Sequence, residues 1–78
     1  MGKPAEAAEA LLGPSALDRR EGMARQLQFV GACILDLFFL PRGEGAPVAA
    51  HAEARLPNGQ PVSPGDCLAA LMRARGPG

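Results

Sequence analysis

The chain has 78 residues, with eight basic and eight acidic side chains, one histidine, two cysteines and a hydrophobic content of 47%. That length gives one domain, near the size at which a single core stabilises a fold only marginally. Zero net charge with no basic stripe excludes the electrostatic footprint of a nucleic-acid binder.

Small domains of this kind need support beyond their own core. With two well-separated cysteines and one histidine, no structural zinc spacing is present and no metal or cofactor is expected. The start, Met1-Gly-Lys-Pro-Ala-Glu, is polar and Ala-rich and does not read as a signal peptide. A cytoplasmic location with reduced thiols follows as the expectation, and oligomerisation is the remaining source of support. Arginine outnumbers lysine and Ala, Gly and Pro abound, the coding bias expected of a GC-rich, bacterial genome.

In chain order, residues 4–12 have high helix propensity, with Pro4 suited to a first turn and Gly13-Pro14 as a stop. Residues 1–14 form a short-helical or flexible N-terminal segment, ahead of a single domain over 15–78. Ser15, three residues before Asp18, offers a capping-box-like start. Leu17, Met23, Leu27 and Val30 then recur near helical spacing, which predicts a helix over 15–30, weakened by Gly22.

Residues 29–40 hold all three phenylalanines and the densest block of large apolar side chains. Gly31 reads as a helix stop, and the aromatic and branched run behind it as a strand over 32–40. The alternative is one long helix from 15 to 40, since Met23, Leu27, Val30, Ile34, Leu37 and Phe38 also fit a helical period. Pro41–Pro47 is a turn rich in Gly and Pro. Val48, Ala50, Ala52, Ala54 and Leu56 alternate with Ala49, His51, Glu53 and Arg55, which predicts a second strand over 48–56, although alanine is depleted in strands. Pro57–Pro61 is a further turn, and Val62 can add a brief third strand. Ser63-Pro64-Gly65-Asp66 is the sharpest local signal: an N-cap residue, proline at the first helical position and an acid two residues later. A helix follows over 64–75, with Cys67, Leu68, Leu71 and Met72 as its stripe and Gly76-Pro77-Gly78 as its stop.

The predicted fold is therefore α+β: an N-terminal helix, a two-stranded antiparallel hairpin and a C-terminal helix, or all-α with one long helix. Helices cover one face of the hairpin, and the other exposes Ile34, Phe38 and Leu40, or the alternate set Leu35, Leu37 and Phe39. Two strands are barely stable alone, and an apolar face of that size marks a partner surface. A homodimer or higher oligomer is the expected solution, with the dimer favoured.

No catalytic signature is present. Cys67, in the first turns of a helix, is a candidate reactive thiol, set against the plainer reading of a small core residue. Cys33 reads as a buried hydrophobe. Asp36 is either a pocket carboxylate in apolar surroundings or a solvent-face residue pairing with His51 or Arg55. The single histidine, His51, reads as solvated surface or a general base. Gly43, Gly45 and Gly59 match no phosphate-binding fingerprint. The apolar run is too short to span a bilayer as a helix.

Three functions follow as expectations. The first is a non-enzymatic binding or accessory protein acting through an oligomeric apolar surface, with Phe29, Ile34, Asp36, Phe38, Phe39 and Leu40 as contact residues. The second is a small apolar ligand held in a dimer cleft lined by Phe29, Phe38 and Phe39, with Asp36 as its polar contact. The third is a small enzyme using Cys67, His51 or Asp36.

Overall fold

A computed structural model describes residues 2–76; the Pro77-Gly78 part of the predicted helix stop lies outside the described residues. The order of elements is α1 (Ala5–Leu12), β1 (Leu17–Glu21), β2 (Ala24–Val30), β3 (Ile34–Leu40), β4 (Val48–Arg55) and α2 (Pro64–Arg75). The strands form one four-stranded antiparallel sheet in the order β1-β2-β3-β4. Neither the two-stranded hairpin nor the helix over 15–30 is what forms, and the all-α alternative with a helix from 15 to 40 fails with them.

The reason lies in residues 21–30. Glu21 pairs with Ala24, so Gly22-Met23 is a two-residue hairpin turn rather than the middle of a helix. Gly22 has φ +59°, the left-handed value that the first position of a type II′ turn needs and glycine supplies without steric cost. Beyond the turn, Gln26-Leu27-Gln28-Phe29 alternates polar and apolar. Leu27 and Phe29 are buried on one face, while Gln26 and Gln28 point to the other. That period of two outweighs the looser helical spacing of Leu17, Met23, Leu27 and Val30, because here it brings two strands of hydrogen bonds and a buried face together.

Register places Leu27 opposite Leu37 and Phe29 opposite Leu35, and Leu35 opposite Ala54. These side chains, with Phe39, meet Ala5 and Cys67 from the helices in the core. Burying leucines and phenylalanines of this kind contributes roughly 1.5–3 kcal/mol each. Alternation along β4 is broken once: Phe38 pairs with His51 and Phe39 with Ala49, leaving Ala50 as an extra residue. This bulge corrects the strict alternation expected over 48–56, since it turns Ala49 toward the helices and lets Val48 face away with Leu40.

α2 lies against β4 and β3 and touches α1. Pro64 occupies its first turn as its ring geometry predicts, but Ser63 makes no side-chain capping bond, so that part of the expected start is corrected. α2 passes close to Gly31, where a Cβ would sit 2.8 Å from Leu71 Cδ2. Gly31 thus serves the β2–β3 turn, not a helix terminus. Val62 contributes a single bond, its N–H to the Ala54 carbonyl at 3.3 Å, beside an isolated bridge between Arg55 and Pro61.

The molecule is 18 Å deep along its shortest axis. That is room for one sheet and one layer of helices, so the second sheet face has no cover from the described residues.

Candidate functional site

Side chains on the uncovered face come from alternate positions of all four strands. Leu17, Val30 and Leu40 are exposed at 41%, 57% and 46%, and Ile34, Phe38 and Val48 are partly so. In their midst stands Asp36, only 4% exposed. Register explains the shielding: Gln28 and Glu53 lie directly opposite Asp36 on β2 and β4, with Gln26 and Arg55 one step diagonally away.

The hydrogen bonds of Asp36 come from both neighbouring strands. Its Oδ1 accepts from Gln26 Nε2 at 3.0 Å and Gln28 Nε2 at 2.9 Å, and its Oδ2 accepts from Arg55 Nη1 at 3.0 Å. The carboxylate thereby fixes both amides and holds one end of an Arg55 whose side chain is itself 45% exposed. Among the described residues no buried side-chain polar atom lacks a partner. A partner can therefore cover Asp36 without stranding it, which matters because an unsatisfied buried charge costs several kcal/mol.

His51 sits beside this group without entering it. Its Nε2 lies 3.3 Å from Glu53 Oε1, and its ring rests against Phe38 with centroids 5.6 Å apart. Asp36 and His51 share a face but form no hydrogen-bonded pair, so the geometry assembles no acid–base dyad. The three phenylalanines do not line one cleft: Phe29 and Phe39 are buried under the helices, while Phe38 lies on the opposite face.

Cys67 is joined to Cys33 by a disulfide, and neither cysteine is free. The bond ties the β2–β3 turn to the first turn of α2, and both residues are buried. It replaces the free thiol considered for Cys67 and the unpaired hydrophobe considered for Cys33, and it runs against reduced thiols in a cytoplasm. Nothing local in the sequence links positions separated by 34 residues; only docking of α2 brings them together.

A second polar cluster lies on the helix side. Arg25 donates from Nε to Asp18 Oδ1 at 2.9 Å and from Nη2 to Oδ2 at 2.8 Å, with Glu9 at 3.7 Å and Glu6 at 3.8 Å on α1. Those paired hydrogen bonds hold the Asp18 carboxyl below its ordinary value and raise Arg25 above its own. The cluster fastens α1 over the β1–β2 hairpin. Sequence reading missed it because Asp18 and Arg25 meet only when the hairpin turns at Gly22.

One mainly apolar groove of about 420 Å³ opens between α2 and the sheet, lined by Leu35, Leu37, Ala49, Ala52, Pro64, Gly65 and Leu68 with His51 as its one titratable side chain. Among the described residues no cluster of three or more metal-ligating side chains occurs, and no helix is long and apolar enough to cross a membrane. No protein-family model, curated protein or solved structure matches the chain.

Proposed function

We propose that the protein is a non-enzymatic binding or accessory protein that acts as a homo-oligomer through its uncovered sheet face. The observation that carries this reading is the composition of that face. Apolar residues Leu17, Val30, Ile34, Phe38, Leu40 and Val48 surround a polar centre whose carboxylate is already satisfied by Gln26, Gln28 and Arg55. Interfaces are built this way, with contact area from apolar and aromatic side chains and orientation from a few fixed polar groups.

Light scattering after size exclusion tests it. The expected mass is a multiple of the 8.0 kDa chain, and Phe38→Glu or Leu40→Glu should shift the population toward smaller species. A clean 8.0 kDa species throughout the micromolar range sinks the reading.

A second reading rests on the groove under α2. Its volume is in the range of small-molecule sites and its walls are apolar apart from His51, which suits a small, largely apolar ligand better than the cleft expected from the three phenylalanines. As for location, the disulfide supports an oxidising compartment over the cytoplasm.

A further inference from the structure

We infer that β1 is the seam of a homodimer, in which β1 of one copy pairs antiparallel with β1 of a second and joins two four-stranded sheets into one. The inference rests on the oligomeric reading above and names the contact that builds the oligomer.

The two edges of the sheet differ. β4 is flanked at both ends by the same chain: Ala49 exchanges backbone bonds with Gly2 and Lys3, and Ala54 accepts from Val62. Among the described residues β1 has no such neighbour on its outer side, and all five of its residues are exposed. The turn at Gly22 sets which groups point outward. In a two-residue hairpin the Ala24 N–H returns to the Glu21 carbonyl, so Leu17, Arg19 and Glu21 direct their backbone toward β2 and Asp18 and Arg20 direct theirs outward.

Charges on an edge strand ordinarily keep copies apart. Here their effect depends on register. A two-fold axis that keeps both sets of helices on one side must centre on a residue. Centred on Arg20, the pairing sets Arg19 opposite Glu21 of the second copy, twice, at the non-hydrogen-bonded positions where side chains approach most closely. Its one unfavourable meeting, Arg20 with Arg20 of the second copy, is eased by Asp18, which already lies 3.6 Å from Arg20 in each chain. Centred on Arg19, the pairing also sets Arg20 opposite Asp18 twice, but Asp18 already takes both hydrogen bonds of Arg25, and that register opposes Arg19 to itself and Leu17 to Glu21; centred on Asp18 or Glu21, like acids meet.

Charge reversal tests the seam directly. Arg19→Glu and Glu21→Arg should each weaken self-association by about tenfold or more, while an equimolar mixture of the two variants should recover it as a heterodimer, because each copy then supplies the complement of the other. Hydrogen exchange provides a second measure, with the Asp18 and Arg20 amides gaining protection as protein concentration rises. A monomeric parent, or association indifferent to both reversals with no recovery on mixing, overturns the seam. Association that responds to Phe38→Glu and Leu40→Glu but not to Arg19 and Glu21 overturns it while leaving the face reading intact. The converse response upholds the seam and removes the face reading.

Discussion

Asp36 shows how one residue can carry two opposite demands. A carboxylate within an apolar face is costly to cover unless its lone pairs are filled, and in this protein three side chains on two neighbouring strands fill them. Asp36→Ala strands two oriented amides and one guanidinium nitrogen. Because Arg55 stays half in water and can find solvent partners, the expected loss is about 1–3 kcal/mol, read from urea denaturation. Asp36→Asn, which keeps an acceptor but loses the charge opposite Arg55, should fall between that variant and the parent. The sequence marks Asp36 as anomalous within its run, and pairing with Arg55 was one of the readings open there. Its two glutamine partners are not legible there, because the spacing around Gln26 and Gln28 fits a helix and only the β2–β3 register brings them alongside.

Among the elements, α2 depends most on a distant partner. Its apolar stripe of Cys67, Leu68 and Leu71 is short, and only Cys67 is fully buried, so packing alone holds it weakly. The Cys33–Cys67 bond closes a loop over a separation of 34 residues, for which chain entropy predicts about 3–4 kcal/mol of stabilisation. A Cys33→Ala/Cys67→Ala double variant should lose about that amount, with α2 amides becoming the first to exchange with deuterium. If the variant matches the parent in both measurements, the bond is not what holds α2. β1 and β2 teach a related lesson. Their hairpin was hidden because Leu17, Met23, Leu27 and Val30 fit a helix loosely while the Gln-Leu-Gln-Phe alternation, four residues long, fits a strand tightly. Gly22 tips the choice, since a glycine weak in a helix is well placed in a type II′ turn.

For the whole molecule the governing fact is a two-layer build whose sheet is covered on one face only. A sheet covered on one side leaves apolar area in water, and in a chain this small that area is a large part of what folding could otherwise bury. Association that buries it must stabilise the folded state by mass action. The thermal midpoint should therefore rise as protein concentration increases from the low to the high micromolar range, followed by circular dichroism. A midpoint independent of concentration would falsify self-association as the source of that stability.

The sequence by itself determined the parts whose cause is local. The span of α2 follows from Pro64 and the Asp66-to-Arg75 charge order, β3 from its aromatic and branched run, and the turn over 41–47 from its glycines and prolines. A chain too small for comfort, with one block of large apolar residues, is also evident there. Tertiary structure alone decided the hairpin of β1 and β2, the bulge at Ala50, the company of Asp36, the separation of Phe38 from Phe29 and Phe39, and the bond between Cys33 and Cys67. Each of these joins residues through strand register or helix docking. Period and propensity describe a segment relative to its own axis, and they carry no information about which other segment will lie beside it.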